Sequence, residues 1–364
     1  MSPQQLEDDR GDHRSGGATG DITGDGSTAR QRLAQHLNAG IPRHLVYVAA
    51  KLGLAEVLAD GPRSSGELAA ALGAHPDTLR RLMRGMVAIG LLTEADDGQF
   101  ALDEMGYLLR SDPPEPLLGR LIKSVELGMA WGGLLHAVRT GETPFEHVFG
   151  EGTFTHFARH PAVAALGSQV NPGSWWEVAQ AIAGAYEFSP FETVVDVGGG
   201  NGIVLTAILQ RYPHLRGAVL DQPHLMEDTR KVMTHYGVDA RTQLVPGDFF
   251  EGVPQGDVYV LKTILHDWDD ARAARILERC RQAMSPRGRV VVVERLLPER
   301  AAQGAGGFLG DVMMLVETGG QERTEGEFCA LFAAAGLALT DIRPLQADRY
   351  AGRYLIVGMP TLSC

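Results

Sequence analysis

The sequence predicts a doubly wound α/β sheet preceded by a helical domain. Three observations carry that prediction. From Phe191 onward short β-branched runs alternate with helical stretches. The first of those runs leads directly into a cluster of glycines and then a helix. Ahead of both, the apolar residues recur at helical spacing, interrupted by one strand-turn-strand signal.

Residues 1–29 are mainly Gly, Asp, Ser and Thr, with almost no large apolar side chains to offset the entropy of ordering, so a disordered tail is expected. From about Gln31, the residues Leu33, Leu37, Ile41, Leu45, Val48 and Leu52 fall on one helical face that must pack on something. A helix from Leu54 stops at Gly61, and the next begins at Ser64, which stands three residues before Glu67 as a capping box does. The helix from Pro76 carries Leu79, Leu82, Met83, Met86 and Val87 inward. Ile89–Thr93 and Gln99–Leu102 then flank the turn Asp96-Asp97-Gly98. Three helices and a hairpin make a winged helix, assigned to residues 30–112. Arg80, Arg81 and Arg84 raise a DNA-binding regulator as a remote alternative. Asp77, Glu94, Asp96, Asp97 and a net charge of −12 oppose it, and dimerisation is the preferred role.

Residues 113–185 read as a mostly helical linker region contributing to a substrate pocket. Trp131, Phe145, Phe149, Phe154, Phe157, Trp175 and Trp176 are mostly interdomain core in this reading, with some lining the pocket. Residues 186–364 form the sheet domain. Its strands are Thr193–Val197, Gly217–Leu220, Thr242–Val245, Asp257–Leu261 and Arg289–Val293, in a parallel sheet covered on both faces, with Tyr354–Gly358 last.

The run Val194-Val-Asp-Val-Gly-Gly-Gly-Asn-Gly-Ile passes from strand to helix through glycines, which permit close approach of a ligand and leave helix-start N–H groups to meet it. Dinucleotide and S-adenosylmethionine sites share this turn and an acid after the second strand, here Asp221, placed to accept ribose hydroxyls. The glycine spacing departs from G-x-G-x-x-G, and Gly247-Asp-Phe-Phe follows the third strand. Asp248 can receive an adenine amino group with Phe249 against the ring. Both features favour S-adenosylmethionine.

Five motifs in order now carry a resemblance: Val195-Asp-Val-Gly-Gly-Gly-Asn-Gly, Leu220-Asp-Gln-Pro, Gly247-Asp-Phe-Phe, Leu261-Lys-Thr-Ile-Leu-His-Asp-Trp-Asp-Asp and Gly319-Gly-Gln-Glu-Arg-Thr-Glu-Gly-Glu-Phe. From about residue 30 to 358 the chain resembles the small-molecule O-methyltransferases of the caffeate, hydroxyindole and bacterial polyketide-tailoring type. The resemblance implies a Rossmann-like methyltransferase sheet and S-adenosyl-L-methionine as cofactor. It also implies a winged helix that forms a homodimer whose partners close each other's pockets. It assigns cofactor contacts to Gly198, Gly199, Gly200, Gly202, Asp221, Asp248, Phe249 and Lys262, with Lys262 near the methionine carboxylate and Trp268 beside the adenine.

Methyl transfer from a sulfonium is an in-line displacement that requires alignment and no metal. The acceptor must still lose a proton. A phenol with a pKa of about 10 is a poor nucleophile until deprotonated, and a histidine near its ordinary pKa of about 6.5 can take that proton. His266, just beyond the fourth strand, is the candidate base. Glu294, read as ending the fifth strand, and Glu322 match family positions that hold the imidazole tautomer. The resemblance draws the acceptor pocket from Met129, Trp131, Asn171, Trp175, Asp311 and Met314. Asn171 stands where plant members often carry a methionine.

The expected reaction is therefore O-methylation of a small-molecule secondary metabolite, such as an aromatic polyketide. An alternative keeps the cofactor but performs hydroxylation, decarboxylation or pericyclic chemistry. Cys280, Cys329 and Cys364 lack paired spacing for zinc or a disulfide framework. The acidic charge argues against a nucleic-acid partner, and neither a membrane span nor a secretory signal is evident, so the cytoplasm is the expected location.

Overall fold

The computed structural model describes residues 28–111, 121–122, 124–125, 127–160, 172–346 and 352–361. Residues 1–27 of the expected tail and Asn171 lie outside them, and Ala29 already begins a helix. The chain divides into two units, residues 1–43 and 44–364. In the first, α1 (Ala29–Asn38) is closed by a reciprocal capping box between Thr28 and Gln31. A second helix, α2 (Gly40–Leu52), begins in this unit and continues into the other. One continuous apolar face was the expectation. The helix instead ends at Asn38 and restarts at Gly40, and Leu33, Leu37 and Ile41 stand 61, 77 and 59% exposed.

The second unit opens with α3 (Leu54–Val57), β1 (Arg63–Ser64), α4 (Ser65–Leu72), α5 (Pro76–Ala88), β2 (Leu92–Glu94), β3 (Gln99–Leu102) and α6 (Glu104–Tyr107). The capping box at α4 is present: Ser64 N–H donates to Glu67 at 2.8 Å, and Glu67 N–H donates to the Ser64 hydroxyl. Leu79, Met83 and Met86 line the inner face of α5 and pack with Leu54, Leu68 and Phe100. The wing is three-stranded, in the order β1-β3-β2. Arg80 and Arg81 are exposed, whereas Arg84 pairs with Glu94 at 3.4 Å.

A 3₁₀ turn (Leu127–Gly133) and three short helices, α7 (Leu134–Thr140), α8 (Pro144–Phe149) and α9 (Thr153–Arg159), follow. Leu127, Ala130, Phe145 and Val316 make a small core there, with Phe149 and Phe157 against it. The helix α10 (Pro172–Ala185) then leads into the sheet domain.

That domain continues with β4 (Thr193–Val197), α11 (Ile203–Arg211), β5 (Arg216–Asp221), α12 (Met226–His235), β6 (Thr242–Pro246), β7 (Gly256–Lys262), α13 (Asp270–Ala283) and β8 (Met284–Leu297). It ends with α14 (Ala305–Glu317), β9 (Arg323–Thr324), α15 (Glu325–Ala334), β10 (Leu337–Pro344) and β11 (Arg353–Pro360). The main sheet runs β10-β11-β8-β7-β4-β5-β6, with β9 beside β8. From β8 to β6 the pairing is parallel. The all-parallel expectation fails at the C-terminus, where β11 pairs antiparallel with both β8 and β10. A hairpin adds strands there without a crossover helix. Burial on both faces explains the continuous Val290–Val293 run, each of whose residues is fully inaccessible. Strand order reverses at β4, which has β5 on one side and β7 on the other. The crevice beyond the carboxyl ends of these strands is where such sheets bind ligands.

Candidate functional site

The glycine turn occupies that crevice. Gly198, Gly200 and Gly202 have φ of 66°, 58° and 73°, in the left-handed region. A Cβ on Gly198 would lie 2.4 Å from Ile264 Cδ1, one on Gly199 2.6 Å from Asp196 Cγ, and one on Gly202 2.3 Å from Met233 Cε. One on Gly200 would meet nothing within 4 Å, so the turn packs on its own domain at three positions and is open at the fourth. Four N–H groups of the turn and the helix start are engaged within the chain rather than free. Gly198 N–H donates to Leu220 O, Gly200 N–H to Asp221 Oδ2 at 2.7 Å, Gly202 N–H to Gly199 O, and Ile203 N–H to Asn201 Oδ1.

Beside the turn lies a cavity of about 690 Å³ whose lining includes Gly198, Asp221, Asp248, Phe249 and Trp268. The two oxygens of Asp221 accept N–H groups from Gly200 and Gln222, each at 2.7 Å, and each keeps a lone pair. Burial raises the Asp221 carboxyl above its ordinary pKa against those two bonds. Asp248 Oδ1 takes the Phe250 N–H at 2.8 Å, so this residue shapes its own turn as well as the wall. Trp268 stacks on Phe154 at 5.3 Å and meets Phe250 edge-on at 4.8 Å, which makes an aromatic wall. Lys262 ends β7. Its ammonium donates to Thr263 Oγ1 at 3.2 Å and lies 5.1 Å from the centre of the Trp175 ring. Thr263 itself holds φ 55°, a strained value for a β-branched residue at the cavity wall.

His266 sits in the 3₁₀ turn Leu265–Asp267, because β7 already ends at Lys262. Its Nδ1 lies 3.4 Å from Glu322 Oε1 and 3.5 Å from Glu294 Oε2, and its Nε2 lies 3.8 Å from Asp267 Oδ1. Glu294 falls inside β8 rather than at its end, since the strand runs on to Leu297. The Oε1 of this fully buried residue accepts the backbone N–H groups of Ile264 and Leu265 at 2.9 and 3.0 Å. Burial pushes the His266 pKa down, but Glu294, Glu322 and Asp267 outweigh it and hold the imidazole at about 9. The ordinary value near 6.5 expected from sequence does not apply. Asp267 is driven up to about 7 by burial and the surrounding carboxylates, against the attraction of His266.

The Gly319–Phe328 motif explains itself as a clasp on this turn. Gln321 N–H donates to His266 O at 2.9 Å, and a Cβ on Gly320 would come 2.0 Å from the same oxygen. Arg323, 1% exposed, donates to Leu265 O at 3.0 Å, Trp268 O at 2.8 Å and Asp270 Oδ1 at 2.9 Å. One guanidinium thus ties together the segment that carries both the histidine and the aromatic wall.

Among the described residues Met129, Trp131, Trp175, Asp311 and Met314 are not part of that cavity's lining, and Asn171 lies outside the described residues. Met129 and Trp131 are 61 and 40% exposed, and Trp175 faces Lys262. Asp311 accepts the Glu322 N–H at 2.8 Å, which places it behind the glutamate, and Met314 is buried. Sequence reading gave no role to Asp196, Arg323 or Phe250, and placed Phe154 only among the aromatic residues of which some line a pocket, as it does here. Asp196 and Arg323 lie within quoted motifs, whereas nothing in the sequence marks Phe154 as a partner of Trp268. Asp196 is 2% exposed, and burial pushes its pKa up to about 7 although Lys262 opposes it. Among the described residues Glu151, His156 and His160 also bring donor atoms within 4.8 Å of one another. Glu151 is held there by His156 at 2.9 Å and Arg159 at 2.6 Å, an ion-pair arrangement.

These residues fit S-adenosylmethionine. Gly200 leaves open space, Asp221 and Asp248 retain acceptor capacity, the wall is aromatic, and the nearby acids suit a cation. Comparisons with known proteins agree. An O-methyltransferase dimerisation domain matches residues 35–112, and an O-methyltransferase domain matches residues 131–338. Phenazine O-methyltransferase PhzM of Lysobacter antibioticus is 44% identical over 301 residues, 82% of this chain and 88% of the relative. The solved structure of mitomycin 7-O-methyltransferase MmcR is 34% identical, with a TM-score of 0.84, over 92% of this chain and 98% of that one. The neocarzinostatin-biosynthesis O-methyltransferase NcsB1, solved with S-adenosylmethionine and 2-hydroxy-5-methyl naphthoic acid, is 32% identical, with a TM-score of 0.75, over 88% and 96%. N-methyltransferases also occur among the relatives, at 35 and 31% identity. The chain belongs to the S-adenosylmethionine-dependent O-methyltransferase family and carries that family's dimerisation domain ahead of its catalytic domain.

Proposed function

We propose that this enzyme methylates a hydroxyl of a small aromatic secondary metabolite, with His266 as the general base. The observation that supports this most directly is the His266 ring itself, whose Nδ1 faces two buried glutamates. In the neutral imidazole, which becomes populated as pH approaches about 9, that pairing favours a proton on Nδ1 and leaves Nε2 to receive the acceptor's proton. Glu294 and Glu322 then stabilise the imidazolium that forms. A pKa of about 9 lies close to the value of about 10 of an un-ionised phenol, so the transfer is nearly balanced. When bound, the cofactor supplies an electrophilic methyl group on a sulfonium. Asp221, Asp248, Phe249 and Trp268 are its proposed contacts along the cavity, with Lys262 and the open face at Gly200 toward the methionine end. Gly198, Gly199 and Gly202 shape the turn that permits them. The acceptor is assigned to the His266 side, toward α14. Relatives named for phenazine and mitomycin substrates support an aromatic ring system as its class.

The further readings are a homodimer formed through residues 30–112, a cytoplasmic location, and neither metal nor nucleic acid as a partner. The dimerisation-domain match supports the first. No helix among the described residues is long and apolar enough to cross a membrane. The decisive test follows S-adenosylhomocysteine production with a panel of hydroxylated phenazines, quinones and naphthoates. His266→Ala is expected to lose at least about 100-fold in turnover while binding S-adenosylmethionine normally. Undiminished turnover in that variant would remove His266 as the base.

A further inference from the structure

Two buried carboxylates facing one imidazole nitrogen repel each other, and the histidine supplies at most one compensating charge. The structure brings two further cations to them. Arg353, the first residue of β11, places Nη1 3.6 Å from Glu322 Oε1 and 3.9 Å from Glu294 Oε2. Arg295, next to Glu294 on β8, places Nε 3.7 Å from Glu322 Oε1. The antiparallel register sets Arg353 directly opposite Arg295. Glu322 Oε1 is therefore the meeting point of His266, Arg295 and Arg353, within a cluster where Glu294 and Glu322 side chains are 0 and 3% exposed.

Glycines border this layer. A Cβ on Gly307 or Gly310 of the helix α14 would stand in ordinary contact with Arg295, 3.6 Å from its Cδ and Nε respectively. Gly352, at φ 75°, would bring a Cβ 3.3 Å from Arg295 Nη1. The separations of 3.4–3.9 Å are ion-pair distances rather than tight hydrogen bonds, so charge matters more than fork geometry.

We propose that Arg353 and Arg295 are positioning residues of the methyl-transfer site, whose positive charges beside Glu294 and Glu322 set the proton affinity of the His266 cluster. This rests on His266 being the base. The groups that face the cluster are Asp267 on its own turn, Glu294 and Arg295 from β8, Glu322 just before β9 and Arg323 within it, Arg353 from β11, and Asp311 and Glu317 from α14. Removing one cation from that set raises the affinity for the first proton, whether it resides on the imidazole or on a carboxylate. The cluster must shed that proton before it can accept one from the acceptor.

The test is the pH profile of methyl transfer by the full chain, measured for wild type, Arg353→Gln, Arg353→Lys, Arg295→Gln and His266→Ala, with cofactor binding and thermal melting as controls. Arg353→Gln and Arg295→Gln are expected to move the acid limb upward by about one pH unit, which costs about tenfold in rate below the limb. Arg353→Lys should restore the wild-type limb. If Arg353→Gln does not fold, Arg295→Gln carries the same prediction. A folded neutral variant with an unmoved limb overturns the proposal, as does a lysine variant shifted as far as the glutamine one. Wild-type turnover by His266→Ala would instead remove the base assignment beneath it, a separate result.

Discussion

Glu294 grips the His266 turn at two levels. One carboxylate oxygen holds the Ile264 and Leu265 N–H groups at 2.9 and 3.0 Å, and the other stands 3.5 Å from the His266 ring. A strand from the middle of the sheet thereby determines both where the turn lies and how its imidazole titrates.

Glu294→Ala leaves those N–H groups buried without an acceptor, at about 1–3 kcal/mol each. Thermal unfolding should register a loss of about 2–5 kcal/mol. Glu294→Gln retains an oxygen for the backbone but no charge. It should melt closer to wild type, turn over about 10–100-fold more slowly, and shift the acid limb downward from about 9.

Stability should fall at alkaline pH through His266. Its folded pKa of about 9 lies above an unfolded value near 6.5, so its contribution is complete below about 6.5 and is lost as pH rises through about 9. Differential scanning calorimetry between pH 6.5 and 9.5 should show wild type losing up to about 3 kcal/mol more than His266→Gln. Parallel losses in the two proteins would contradict a raised pKa.

Two glycines of the same turn should separate binding from folding. A Gly200→Ala methyl enters open space at φ 58°, with strain of about 1–2 kcal/mol, and on the proposed assignment intrudes on the cofactor. Calorimetry should show at least about tenfold weaker S-adenosylmethionine binding with a modest drop in melting temperature. Gly202→Ala drives its methyl to 2.3 Å from Met233 Cε and 3.0 Å from Thr229 Cγ2, so the larger loss should be in stability.

Arg323→Lys keeps the charge but cannot reach Leu265 O, Trp268 O and Asp270 together. We expect a stability loss of about 2–4 kcal/mol. Because the clasp spans the histidine and the aromatic wall, kcat and cofactor affinity should decline together.

Much of this site was legible in linear sequence because its anchors are local. Asp221 ends β5, Asp248 lies two residues beyond the end of β6, His266 follows β7, and Gly198, Gly200 and Gly202 take backbone angles that other residues resist. Alternating β-branched and helical runs likewise determine a doubly wound sheet, since each side-chain period can bury its apolar face in one way only. The Ser64–Glu67 box and the wing were readable for the same reason.

Tertiary structure decided what depends on neighbours far apart in the chain. The antiparallel return of β11 brings Arg353 to Glu294 and Glu322, and no spacing rule marks an arginine at that position. The His266 pKa moves from its ordinary value to about 9 because three carboxylates converge on it from its own turn, β8 and the segment before β9. Sequence specifies which groups can ionise, but their distances and burial determine at what pH they do so.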